Sequence, residues 1–255
     1  MNRITNAFAD KKALVVFITG GDPDIETTEK LILSVEEAGA DIIEIGIPFS
    51  DPVAEGSVIQ DASARALANG CTVDRLFDMV ARLRTKTNIP LLFMTYANPI
   101  FVYGSNRFMA KCKEAGIDGI IVPDIPFEEK DEFEEECEQY GISMVSLIAP
   151  TSGERTEMIA KEAEGFLYCV SSLGVTGTRA KIDTGIEELI QKVKKVSSIP
   201  CAVGFGISTP EQARDMAAIS DGVIVGSAVV KLVAEFGKDS IEPVKSLVAK
   251  LRDSM

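Results

Sequence analysis

Eight short apolar runs punctuate this chain of 255 residues, at 13–19, 41–47, 90–96, 119–125, 143–149, 166–171, 200–205 and 222–226. Segments with helical periodicity follow them, at 26–38, 73–87, 105–115, 128–139, 153–163, 185–196, 209–218 and 238–253. The runs are nearly continuous in apolar character and do not alternate, as strands covered on both faces require. Strict strand–helix alternation demands parallel crossovers, so the predicted class is α/β. Eight such units predict a (β/α)8 TIM barrel, a single domain over 1–255, with additional helical pieces near 1–10 and 61–69. Periodicity alone does not show closure, and an open doubly wound sheet stays as the alternative.

In a barrel, side chains fill the interior and ligands enter at the C-terminal ends of the strands. The loop that stands out there follows the second run, in ADIIEIGIPFSDPVAEG from Ala40 to Gly56. Glu44 lies inside the apolar run, where an unpaired charge costs several kcal/mol. Stability does not explain it, and acid–base chemistry does. Asp51 and Glu55 sit in the Pro-rich loop beyond. Histidine is absent from the chain, which leaves such chemistry to carboxylates, Tyr, Lys or Cys.

Composition excludes several classes. With 26 basic and 39 acidic residues the formal charge is −13, the opposite of a nucleic-acid footprint. Glu128 to Glu138, EEKDEFEEECE, reads as a solvated helix face with Phe133 and Cys137 turned inward. The five cysteines, Cys71, Cys112, Cys137, Cys169 and Cys201, are widely spaced and never in a CxxC pair, so neither a disulfide framework nor a metal site is expected. No apolar run approaches the ~18 residues of a membrane span, and the start MNRITNAFADKK lacks a signal core. A cytoplasmic protein is expected.

Three late loops carry glycine where a phosphate would need it. Barrels often hold this anion between the last two strands' loops and the N-terminus of a short helix, where backbone N–H groups converge. Gly206 lies in one loop and Gly226–Ser227 in the other, and Gly177 after the sixth run can close the third side. The cradle so read contains no lysine. No Walker or dinucleotide fingerprint accompanies it, which points to a small phosphorylated metabolite.

Taken together, FITGGDP, EIGIPFSDPVAEG, MTYANP, PDIP, SSLGVTGTR, GFGIS and GSAVVK resemble the tryptophan synthase alpha-chain family nearly end to end. The resemblance implies cleavage of indole-3-glycerol phosphate to indole and glyceraldehyde 3-phosphate. By position it implies Glu44 as the acid–base group and Glu55 as the second carboxylate, where the family usually has aspartate. It further implies Phe17, Tyr96, Tyr168, Thr176 and Phe205 at the substrate, and Gly177, Gly206, Gly226 and Ser227 at its phosphate. Asp51, Pro52 and Arg179 fall in two loops, 50–60 and 174–184, expected to cover the site and touch a partner. That partner is a β subunit in an α2β2 tetramer, which holds the pyridoxal phosphate, and no cofactor is expected here. A stand-alone lyase and a catalytically silent activator of the β subunit remain as alternatives.

Overall fold

The structure, a computed structural model, describes residues 2–170, 184–204 and 206–255. Among these residues nine parallel strands form one sheet: β1 Ala13–Thr19, β2 Ile42–Gly46, β3 Leu91–Met94, β4 Gly119–Ile121, β5 Ser143–Met144, β6 Leu147–Ile148, β7 Leu167–Val170, β8 Cys201–Gly204 and β9 Gly222–Val225. Their spatial order is β5-β4-β3-β2-β1-β9-β8-β7-β6.

The two ends of that order are one stretch of chain. Ser143 and Met144 pair with β4, whereas Leu147 and Ile148 pair with Tyr168 and Cys169 of β7. Between them the Val145 N–H bonds to Ile120 O at 2.9 Å, and Ser146 O accepts from the Tyr168 N–H at 3.0 Å. The sheet therefore closes on itself through residues 143–148. Eight apolar runs thus make an eight-membered barrel, and the open-sheet alternative is set aside. The continuous fifth strand expected over 143–149 is corrected to two short ones, because its hydrogen bonds change neighbour at Val145–Ser146.

Twelve α-helices lie among the described residues: α1 Arg3–Ala7, α2 Ile25–Glu37, α3 Ser57–Ala68, α4 Val73–Leu83, α5 Ala97–Tyr103, α6 Ser105–Ala115, α7 Asp131–Tyr140, α8 Arg155–Glu162, α9 Thr184–Val196, α10 Pro210–Ile219, α11 Ser227–Phe236 and α12 Ile241–Ser254. Local chemistry starts several of them. Asp24 and Thr72 cap α2 and α4 through their side chains, and Thr209 with Gln212 forms a capping box on α10. Phe133 and Cys137 of α7 are buried, as its spacing predicts. Two helices were not anticipated, α5 and α11, and the second of these matters for the site. All five cysteines are buried and unpaired. Among the described residues no helix is long and apolar enough to cross a membrane.

Two apolar cores result. One lies between strands and helices, with Leu14, Ile43, Phe93, Phe108, Cys169 and Val203 in it. The other fills the barrel, where Val15, Ile42, Leu92, Ile121, Phe166 and Tyr168 point inward. Ile4, Ala7 and Phe8 join this inner core, and the Phe8 ring packs 5.4 Å from Phe166. At the strands' N-terminal ends three aspartates repeat one device. Asp41, Asp118 and Asp221 accept the backbone N–H of Leu14, Leu91 and Cys201 on neighbouring strands, at 2.8, 2.9 and 2.8 Å. Each also meets cations: Asp41 pairs with Lys11 and Arg252, Asp118 with Arg3 and Arg84, and Asp221 with Lys194. Charge at this rim serves stability and leaves the opposite rim for ligands.

Candidate active site

Parallel register places Glu44 of β2 opposite Phe17 of β1 and Leu92 of β3, on the inward face. It is fully buried, and neither carboxylate oxygen has a hydrogen-bond partner among the described residues. Desolvation raises its pKa to about 8, so the carboxyl is held protonated near neutrality. Burial first, and then the Glu44 carboxylate when ionised, push the Tyr168 hydroxyl well above its ordinary range. A bare carboxyl in an apolar interior costs about 1–3 kcal/mol or more, and no hydrogen bond among the described residues offsets it.

Phe17 links this acid to the far side of the mouth. A Cβ on Gly46 would come within 2.5 Å of the Phe17 ring, and one on Gly226 within 3.3 Å of its Cβ. The ring therefore runs from the loop after β9 to the strand that carries Glu44. Tyr168 is seated the same way, since a Cβ on Gly204 would approach its ring to 2.6 Å. Removing either hydrogen-only side chain's space would dislodge an aromatic wall.

Above these rings opens a cavity of about 530 Å³, a size suited to a small metabolite. Phe17, Met94, Tyr168, Ile224 and Ile59 supply its apolar walls. Gly206, Gly226 and Ser227 also line it. Gly206 has φ +84°, a left-handed conformation that lets its backbone face the cavity. Ser227 opens α11, whose first-turn N–H groups have no intrahelical partners and whose dipole favours an anion. An apolar chamber thus includes an amide-rich seat.

Glu55 enters from the loop between β2 and α3. It lines the cavity, its Oε2 has no partner among the described residues, and burial raises its pKa to about 7 against the opposing effect of a hydrogen bond with the Tyr96 hydroxyl. Tyr96, expected on the substrate wall, is not on the cavity surface in this structure. Its hydroxyl accepts the Ala54 N–H at 3.1 Å and its ring packs 5.4 Å from Phe49. It buttresses the loop that carries Glu55. The loop after β1 holds the other side, where buried Asp22 accepts two bonds from Arg65 of α3, at 3.0 and 2.8 Å.

Asp51 and Pro52 lie at the tip of the Glu55 loop, away from the cavity, with Val53 beside them 77% exposed. Thr176, Gly177, Arg179 and Phe205 lie outside the described residues. Met94, Ile59, Ile224 and Lys231 line the cavity without having been anticipated. Met94 and Ile224 were within reach, because each lies on the inward parity of its strand, two residues from Leu92 and two before Gly226. Among the described residues no three His, Cys, Asp or Glu side chains are grouped to hold a metal ion.

Comparison with known proteins bears on this arrangement. The family model for the tryptophan synthase alpha chain matches residues 5–255. The chain belongs to that family. An alpha chain from Thermoanaerobacter sp. (strain X514) is 48% identical, with 99% of each chain covered. A solved structure from Aquifex aeolicus VF5 superposes with a TM-score of 0.92 at 40% identity, covering 100% of this chain and 99% of that one. A chain from the tryptophan synthase α2β2 complex of Pyrococcus furiosus superposes with a TM-score of 0.89 at 38% identity, covering 95% and 98%. Kinship at this level extends over the barrel, the mouth and the loops alike.

Proposed function

We propose that this barrel, acting as one domain over residues 1–255, performs the tryptophan synthase alpha half-reaction: indole-3-glycerol phosphate is cleaved to indole and glyceraldehyde 3-phosphate. The observation that carries the proposal is the fully buried Glu44, without a hydrogen-bond partner among the described residues, beside an apolar chamber that glycine amides and Ser227 also line. The indole ring would lie between Phe17 and Tyr168, and the phosphate against Gly206, Gly226 and Ser227. Because the Glu44 oxygens are sealed from the cavity, the side chain must turn past the Phe17 ring to reach the substrate.

In that position Glu44 gives its proton to indole C3, which makes the bond from C3 to the glycerol carbon breakable. The electron pair of that bond returns to the ring, the adjacent hydroxyl loses its proton to the Glu44 carboxylate, and the aldehyde forms. Glu44 ends as it began. Positive charge that develops at the indole nitrogen is met by ionised Glu55, held by Tyr96. The step uses only these side chains, and pyridoxal phosphate belongs to a β subunit that receives the indole in an α2β2 assembly. Asp51 and Pro52, on the exposed tip, and Arg179 are the contacts proposed for the lid and that partner. Thr176 and Phe205 would complete the substrate wall, and Gly177 the phosphate seat. A phosphorylated intermediate of this kind is handled in the cytoplasm.

Indole release from purified protein tests the proposal. Wild type should produce indole, and Glu44→Gln should lose at least about a hundredfold in kcat, as expected when a general acid is removed. Binding of glycerol 3-phosphate should be retained in the variant. Undiminished turnover in Glu44→Gln would overturn the assignment.

A further inference from the structure

Lys231 is the one cation on the described wall of the cavity, and we infer that it is the charge partner of the substrate's phosphate. The inference rests on the function proposed above and adds a residue that the glycine loops do not reveal.

The need for a cation follows from charge. The chain carries a formal −13, and the cavity wall already presents Glu55. A phosphate dianion approaching this mouth meets like charge, and the helix terminus offers about half an elementary charge against it. Amide groups orient an anion well but neutralise it poorly. Lys231 stands four residues after Ser227 in α11, so the two occupy the same helix face. Side chains on a helix lean toward its N-terminus, which carries the Lys231 stem back over the turn that begins at Gly226.

The surroundings suit a long stem with a wet head. Ile207, Ser208, Leu232 and Leu247 line the cavity together with Lys231. The methylenes can lie along the leucines while the ammonium stays hydrated. Lys231 enters no ion pair among the described residues, in contrast to Lys238 and Lys245 near it in sequence. Its charge is therefore uncommitted among the described residues, on a wall that it shares with Gly206, Gly226 and Ser227.

The phosphate is remote from the bond that breaks, so Lys231 should act equally on bound substrate and transition state. Such uniform binding appears in KM and not in kcat. A hydrated ion pair is also screened by salt. Lys231→Met should therefore raise the KM for indole-3-glycerol phosphate about fivefold at low ionic strength, with kcat within about twofold. The inhibition constant of glycerol 3-phosphate should rise by the same factor, and the salt dependence of kcat/KM should flatten. Lys231→Arg should restore both constants, and Lys250→Met on α12, an equal change in net charge, should match wild type.

Unchanged constants in Lys231→Met at low salt, or a fall in kcat at constant KM, would overturn the inference. If wild type releases indole and binds glycerol 3-phosphate while Lys231→Met behaves identically, Lys231 alone is misassigned. If wild type does neither, the proposed function itself fails.

Discussion

Glu44 combines two properties that conflict in an ordinary core residue: it is wholly buried and its carboxyl oxygens have no hydrogen-bond partner among the described residues. The conflict has a thermodynamic signature. Its folded pKa, about 8, lies above the usual value of 4.5, so between these limits the folded state holds a proton the unfolded chain has released. Stability contributed by this group is complete at low pH and declines as pH rises from about 4.5 through 8, by about 1.4 kcal/mol per unit for one proton. Glu44→Gln should flatten that decline, which denaturant melts at several pH values would reveal; equal slopes in both proteins would contradict it. Activity follows the same two carboxyls in opposite senses. Glu55 must be ionised and Glu44 protonated, so kcat/KM should trace a narrow bell that falls below about 7 and above about 8. A flat profile across that range would count against the paired roles. Glu44 was legible in sequence because a carboxylate inside IIEIGI has no stabilising excuse. Tyr96 was less so: a tyrosine after a strand has the same appearance whether its ring meets a ligand or its hydroxyl props a loop. Lys231 escaped for a similar reason, since its relation to Ser227 exists only once the last run is known to turn straight into a helix.

Element boundaries failed where long-range pairing decides them. SMVSLIA reads as one strand because it is mostly apolar and unbroken by a turn residue, yet which neighbour each N–H meets depends on residues more than twenty positions away. Helix α5 was hidden by Pro99, which suggests a loop although proline is tolerated in a helix's first turn. Helix α11 was hidden by its apolar richness, as SAVVKLVAEF continues the composition of the strand before it. The eight main runs were readable because each is bounded by turn residues and buried on both faces. At the lower rim, Asp118 binds Arg84 at 2.6 Å, Arg3 at 2.8 Å and the Leu91 N–H at 2.9 Å. Asp118→Ala strands a largely buried guanidinium and an amide together. Destabilisation of about 3 kcal/mol is expected in chemical denaturation, with kcat preserved at temperatures where the variant is folded. A loss below about 1 kcal/mol would show that the rim aspartates are not structural ties.

For the whole molecule, closure of the barrel and the family relationship agree: 38–40% identity to solved structures accompanies TM-scores of 0.89 and 0.92. The exposed tip around Val53, the half-exposed Phe101 and the largely exposed Val102 lie on the loop after β2 and the helix after β3, at the C-terminal ends of the strands. A β subunit bound there would press on the loop that carries Glu55. Indole release should accordingly accelerate at least about tenfold when a β subunit is added, because a population of competent loop conformations is being selected. Equal rates with and without it would favour an independently acting lyase. The seam at Val145–Ser146 has a consequence of another kind. A ring of strands offers no bare margin of N–H and C=O groups onto which a neighbour's backbone could zip. Assembly is thereby left to side chains on the outer helices and rim loops, whose residues can change from one lineage to the next without disturbing the ring beneath.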